Sequence, residues 1–328
     1  MRAHGLTPAL TAVCVATFRA VGVDVWTRPC HRMPARRLSA DVHQPLFEHR
    51  LRLAGVETRA LELLGDGPPV LLVHGFMDSA DTWRKTLASL AASGRAALAI
   101  DLPGFGAADR LVRGEPVLPQ HDAVVAAAVE QLAEQGGGAV VVVGNSLGGC
   151  AAIRAAQRTD LPLAGVMPVA PAGFDHPVWF RAIEGDALVR TLLAAPLTER
   201  LVRAIVGQAY RQLAFARPRA IEPTVVRAFV SHLHTQRDVR RALATGRTLM
   251  PELADPFDLS AVTVPVRLVW GEKDRMVSHR GSRHLVAAVP HLSYDLLPGC
   301  GHCPQLEEPA RFAELLEAFL AELAVRAG

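Results

Sequence analysis

The pentapeptide Gly144-Asn145-Ser146-Leu147-Gly148 is the stretch of this chain best equipped for chemistry. It follows the apolar run 140–143 directly and precedes a helical stretch directly. A strand-to-helix turn at that spacing strains the serine and pushes its hydroxyl beyond the end of the strand. Glycines flank it because a Cβ there would meet neighbouring backbone. The helix start also brings free N–H groups and a positive dipole end to Ser146, where negative charge would develop. Such a serine attacks carbonyl carbon once a base takes its proton and a third group orients the base. His302, in Pro298-Gly299-Cys300-Gly301-His302, is the candidate base. Asp274, in Gly271-Glu272-Lys273-Asp274, is the candidate acid. Each follows a strand-like run, where ligands bind in open α/β sheets. The order serine, acid, histidine is one of the known triad orders.

Two other acids compete with Asp274: Glu272, nearby, and Asp175, just past the run 163–169. His74 and Asp101, each closing a strand-like run, and Asp109 are read as organisers of loops. His232, His234, His284 and His291 are read as surface residues, and no His pair has the spacing of a metal site. Gly104-Phe105-Gly106 after a strand has the look of a dinucleotide loop, but position 109 is Asp and Pro103 intrudes. Cys300-Gly301-His302-Cys303 has C-x-x-C spacing without a thioredoxin layout around it. Oxidation of those two thiols would displace His302, so a redox effect on the site is one expectation.

These residues need a frame. Runs 47–53 and 56–64 alternate apolar and polar residues about Gly55, as an antiparallel pair does, and Gly65-Asp66-Gly67-Pro68 reads as a turn. Continuous apolar runs follow at 70–73, 96–100, 139–143, 163–169, 266–270 and 294–297. Short runs of this kind suit parallel strands covered on both faces. Helical patterns alternate with them. Ser79 or Asp81 can cap a helix bearing Trp83, Leu87 and Leu90. Val125, Ala128, Val129 and Leu132 precede a Gly136-Gly137-Gly138 stop, and Phe312, Leu315, Leu316, Phe319, Leu320 and Leu323 make one stripe behind Pro309. Strand–helix alternation means an α/β layered fold. From 174 to 256 the alternation breaks into successive helices (188–193, 197–206, 226–233, 239–250), as a lid between two strands would. The expected domains are an N-terminal extension with little order at 1–45, a core at 46–173 and 257–328, and a helical cap at 174–256.

Composition bounds the rest. The chain has 328 residues, half of them hydrophobic, and 35 basic against 32 acidic residues. So even a balance argues against a nucleic-acid partner. The five cysteines (Cys14, Cys30, Cys150, Cys300, Cys303) show no disulfide framework, which points to a reducing, cytoplasmic setting. Residues 6–18 are mostly apolar behind Arg2, faintly like an export signal, but Arg19 interrupts them and the stretch is too short to span a bilayer.

His74-Gly75-Phe76, Asp101-Leu102-Pro103-Gly104-Phe105-Gly106, Gly144-Asn145-Ser146-Leu147-Gly148-Gly149, Gly271-x-x-Asp274 and Gly299-x-Gly301-His302, in this order, resemble the serine hydrolases of the α/β-hydrolase superfamily. The resemblance runs from about residue 47 to 325 and is least informative over the cap. It implies an eight-stranded, mostly parallel sheet flanked by helices, with a helical cap after the sixth strand. It implies Ser146 as nucleophile, His302 as base and Asp274 as orienting acid, with the backbone N–H groups of Phe76 and Leu147 as oxyanion hole. Serine at the elbow departs from the dehalogenase and epoxide-hydrolase branches, which carry aspartate there. No cofactor and no metal is implied, and the substrate class is a small carboxylic ester. Trp179, Phe180, Tyr210, Phe215 and Phe229 interleave with Arg181, Arg190, Arg200 and Arg203 in the cap, and Trp179 and Phe180 are the candidate pocket residues. The elbow is also similar to that of hydrolases that cleave C–C bonds in aromatic ring-fission products; there a cap arginine would meet a substrate carboxylate. A perhydrolase side activity and a non-catalytic scaffold are the remaining readings.

Overall fold

A computed structural model describes residues 46–136, 138–174 and 197–327. Residues 1–45, with Cys14 and Cys30, lie outside the described residues, as do Asp175, Trp179, Phe180, Arg181, Arg190 and the helix expected at 188–193.

Eight strands form one sheet: β1 (Phe47–Leu53), β2 (Val56–Leu63), β3 (Asp66–Val73), β4 (Arg95–Ile100), β5 (Val140–Asn145), β6 (Leu163–Val169), β7 (Arg267–Gly271) and β8 (Ser293–Leu297). Their spatial order is β1-β2-β4-β3-β5-β6-β7-β8. The β1–β2 and β2–β4 pairs are antiparallel and every other pair is parallel. The expected eight-stranded, mostly parallel α/β architecture is what the chain adopts. Alternation explains how all-apolar strands can sit in its middle. Along β5, Val140 and Val142 face one apolar core while Val141 and Val143 face the other, and all four are fully buried. Burying each such side chain contributes about 1.5–3 kcal/mol.

The helices cover both faces. A short 3-10 turn (Ala80–Trp83) leads into α1 (Arg84–Ala92); α2 is Val117–Gly136 and α3 is Leu147–Ala156. Between β6 and β7 lie α4 (Glu199–Ala214), α5 (Pro223–Val230) and α6 (Gln236–Glu252), with no strand among the described residues of that stretch. The chain ends with α7 (Ser282–Ala288), the single turn α8 (Pro304–Glu307) and α9 (Pro309–Ala327). On α9 the expected stripe buries Phe312, Leu316, Phe319, Leu320 and Leu323 against Trp83 and Leu87.

Some local expectations need correction. The turn read at 65–68 is partly strand, because Asp66 pairs with Arg95 before a register shift leads to Val70–Ala97. Ser79 heads the 3-10 turn without a side-chain cap, and Asp81 is drawn instead to Arg59 and Arg84. Helix α2 starts a full two turns before Val125, because the Glu252 carboxylate accepts from the N–H groups of Val117 and Leu118 at 2.8 Å each. A carboxylate at a helix N-terminus satisfies its orphan donors, and this one arrives from the inserted helices.

The inserted helices have a small core of their own, built from Tyr210, Phe215, Phe229, Val230 and Leu233, and it includes Cys303 and Leu306 from the segment after β8. Where the insertion leaves and rejoins the sheet, Phe174 stacks on Phe257 with ring centroids 4.7 Å apart.

Candidate active site

Ser146 lies between β5 and α3 with φ 57° and ψ −112°, a conformation that costs a non-glycine residue about 1–3 kcal/mol. The surroundings over-determine it. Its N–H donates to Val169 O at 2.8 Å, and its carbonyl accepts from Cys150 N at 2.9 Å and Ala172 N at 3.0 Å. A Cβ at Gly144 would lie 2.0 Å from Gly148 O, and one at Gly148 would lie 2.1 Å from Val73 O. Only glycine permits backbone approach this close. The sharp turn is therefore written in the two glycines, and the strain is held by β3 and β6.

His302 follows β8 and Asp274 follows β7. His302 Nδ1 is 2.7 Å from Asp274 Oδ2, and the two side chains are 3% and 0% exposed. Trp270 Nε1 donates to the same oxygen at 3.1 Å, while Oδ1 accepts from Met276 N at 2.8 Å and Val277 N at 3.0 Å. A carboxylate holding so many donors cannot rotate. Because it only accepts, the imidazole proton sits on Nδ1, and Nε2 presents a lone pair. Nε2 is buried and has no hydrogen-bond partner. The backbone of the histidine is fixed as well: its N–H donates to Ala214 O of α4 at 2.7 Å, and Gly301 N donates to Glu307 at 2.7 Å. Glu272, one of the rival acids, accepts instead from Gly299 N at 3.1 Å.

The His74-Gly75-Phe76 turn packs beside the elbow; a Cβ on Gly75 would be 3.1 Å from Ser146 Cβ. His74 is fully buried. Leu102 N donates to its Nε2 at 2.8 Å, so the ring proton is on Nδ1, which reaches Gly75 O at 2.7 Å. Burial holds this ring neutral by lowering its pKa. Asp101 braces the same region, accepting from Ala80 N at 2.7 Å, Ala107 N at 2.7 Å and Arg59 Nε at 3.0 Å. Asp109 accepts from Glu57 N at 2.9 Å. His74, Asp101 and Asp109 thus order loops, as read from the sequence. His234, His284 and His291 are exposed, but His232 is half-buried: it lies under the insertion beside Phe229, where burial lowers its pKa to about 4.

Ser146, His302, Phe76 and Leu147 all line one cavity, open at its mouth. Leu147 is the first residue of α3, so its N–H has no carbonyl to meet within the helix. Asp274 stands behind His302, outside the wall. Tyr210 and Phe229 of the inserted helices reach the wall stacked face to face, centroids 3.6 Å apart, whereas Phe215 is buried in the insertion's core. Arg203 is spent on the carbonyls of Leu233 and Ser231. Among the described lining residues there is no Arg or Lys.

Of the polar lining residues, Asp78 escaped the sequence reading, Asn145 entered it only as a member of the elbow, and Cys303 only as half of the C-x-x-C pair. Asn145 donates to Val169 O at 3.2 Å and to His302 O at 3.0 Å, tying the elbow to the histidine loop. Its signal was its place between Gly144 and Ser146. Asp78 is 6% exposed, and burial lifts its pKa to about 7. Burial also pushes the Cys303 thiol well above its ordinary range and Cys300 up to about 12, so neither thiol near His302 is a ready thiolate. Among the described residues no cluster of His, Cys, Asp and Glu is set to hold a metal. No described helix is long and apolar enough to cross a membrane.

Comparison with known proteins places the chain in a family. An uncharacterised protein of Mycobacterium tuberculosis is 30% identical over 283 residues, which cover 80% of this chain and 78% of that one. A 2-hydroxy-6-oxononadienedioate/2-hydroxy-6-oxononatrienedioate hydrolase of Cupriavidus pinatubonensis is 23% identical, over 76% of this chain and 86% of its own. A human monoacylglycerol lipase is 22% identical, over 79% and 77%. The model of the alpha/beta hydrolase family matches residues 70–315, from the strand that leads to His74 through to the last helix. With the elbow, the strand order and this match on one chain, the protein belongs to the α/β-hydrolase family.

Proposed function

We propose that the protein is a serine hydrolase that cleaves a carboxylic ester through an acyl-enzyme on Ser146. The observation that carries the reading is the His302 imidazole: Nδ1 is anchored by Asp274 and Nε2, unpartnered, lines the same cavity as the strained serine. Ser146 Oγ attacks the ester carbonyl as His302 Nε2 takes its proton. The oxyanion is held by the N–H groups of Phe76 and Leu147, each contributing roughly 3 kcal/mol. His302 passes the proton to the departing alcohol. Water then attacks the acyl-enzyme, giving its proton to Nε2, and the acid leaves as Oγ recovers a proton. Asp274 keeps the tautomer and stabilises the imidazolium between these transfers. Residues 174–256 act as the cap over the cavity, and the stacked Tyr210 and Phe229 join Trp179 and Phe180 as candidate pocket residues.

The C–C bond hydrolase reading uses the same triad, and a relative of that activity matches most of the chain. A dicarboxylic substrate would meet the buried Asp78 in this cavity and no Arg or Lys among the described lining residues. That charge pattern disfavours an anionic substrate. Hydrolysis of p-nitrophenyl esters from acetate to palmitate, by wild type and by Ser146→Ala, tests the proposal. Turnover that peaks at one chain length and disappears in the variant supports it. A folded protein inert on the whole series, yet active on a ring-fission product, would replace it with the C–C reading. Failure to react with a serine-directed phosphonate would leave only a scaffold.

A further inference from the structure

The polar corner of the cavity has a hydrogen-bond polarity that follows from its partners. Both hydrogens of Asn145 Nδ2 are donated to backbone carbonyls, so Oδ1 is an acceptor. The Cys303 thiol lies 3.6 Å from Oδ1 and donates to it. Its sulfur, its one proton committed, then accepts from the Tyr210 hydroxyl at 3.9 Å. What remains of Tyr210 toward the cavity is oxygen lone pairs. Asp78 interacts with both Tyr210 and Cys303 across the cavity. Ser79 N holds its Oδ1 at 2.8 Å. Thr82 is close enough to steady the charge but makes no hydrogen bond of normal geometry. Among the described residues lining this corner, ionised Asp78, Asn145, Cys303 and Tyr210 therefore present acceptors. Asp81 and Asp101 also lie near Asp78, each paired with Arg59 and the former with Arg84 as well. Beside the carboxylate stand the stacked rings of Tyr210 and Phe229, whose faces also attract cations.

A buried carboxylate without a counter-charge is costly, and a cation relieves that cost more than a neutral group does. A hydroxyl could donate here, but its own oxygen would find no donor among those residues. An ammonium group has donors only.

We infer that Asp78 and Tyr210 form a subsite for a protonated amino group carried by the substrate. The enzyme's preferred esters would then bear an alkylammonium arm whose charge rests against Asp78 while the carbonyl lies at Ser146. This rests on the cavity being the substrate pocket, as proposed above. It makes Asp78 a specificity-determining residue, separate from the triad.

The test is direct binding of n-butylammonium and of its near-isostere 1-butanol to the Ser146→Ala protein, followed by ligand-observed NMR above pH 7. Because catalysis is not read, absence of esterase activity does not obscure the answer. The expected result is butylammonium binding about tenfold or more tighter than butanol, a preference lost in Asp78→Asn and reduced in Tyr210→Phe. Equal binding of the two probes overturns the subsite. So does a preference that survives in a folded Asp78→Asn protein. Should Asp78→Asn fail to fold, the comparison of the two probes on Ser146→Ala and on Tyr210→Phe decides alone: no preference in the first, or no reduction in the second, refutes the assignment.

Discussion

Replacing Asp274 by Asn changes one heavy atom and should stop the enzyme without unfolding it. In the native site Oδ1 accepts from two backbone N–H groups, which will hold the amide oxygen of the asparagine in that place. The amide nitrogen is then forced to the position of Oδ2, facing Trp270 Nε1 and His302 Nδ1. Toward His302 it can only donate, so the ring must move its proton to Nε2. Nε2 then offers a hydrogen where the reaction needs a lone pair. A wrong tautomer of this kind lowers kcat by about 10⁴, or roughly 5–6 kcal/mol of barrier. The fold loses much less. Trp270 Nε1 keeps its second acceptor, Val277 O at 3.2 Å, so the cost in stability stays within about 1–3 kcal/mol. Asp274 does not line the cavity, so KM for a p-nitrophenyl ester should stay near wild type. Steady-state kinetics with a melting curve on the same preparation reads both quantities. A loss under about tenfold, or a loss carried by KM, would refute the tautomer reasoning.

Other outcomes follow from the same geometry. Ser146→Gly should melt higher than Ser146→Ala, the difference being of order 1 kcal/mol, because glycine alone relieves the positive φ; equal melting points would show that the turn is not strained. Asp78, whose carboxyl is lifted by burial to about 7 from an unfolded value near 3.8, binds its proton more tightly when folded. Its penalty therefore grows as pH rises from about 4 to 7 and is complete above 7, so Asp78→Asn should raise Tm more at pH 8 than at pH 5. A gain that does not depend on pH would contradict this. His121 is fully buried, donates to Pro103 O at 3.1 Å, and has its pKa lowered to about 4. The folded ring stays neutral down to about 4 while the unfolded chain takes up a proton near 6.5, so stability falls as pH drops from 6.5 to 4, and urea midpoints for His121→Phe should change less over that window than those of wild type.

The sheet was legible because its strands are apolar on both faces, as at 140–143, and because helix and strand periods alternate cleanly around them. The elbow, Asp274 and His302 were legible because each follows such a strand, so position in sequence maps onto one sheet edge. The start of β3 was hidden by glycine and proline, whose turn propensity lost to pairing with Arg95. Asp78 was hidden for another reason. It shares a short loop with Asp81, and nothing in the residue types says that one carboxylate meets arginines while the other is sealed into a cavity. That difference comes from helices α4 and α5, far away in sequence.

The stack of Phe174 on Phe257 joins the two places where the insertion leaves and rejoins the sheet. Seen from the sheet, everything between those rings is one closed loop, and the entropy of closing a loop grows only slowly with its length. An insertion so mounted can lengthen, shorten or be exchanged during divergence without stretching a strand. The freedom has boundaries: whatever replaces α4 must still present a carbonyl to His302 N–H, as Ala214 does, and whatever replaces α6 must still bring an acceptor to the start of α2, as Glu252 does. Evolution of selectivity in this molecule is thus coupled to its chemistry through the Ala214 peptide group and to its framework through the Glu252 carboxylate.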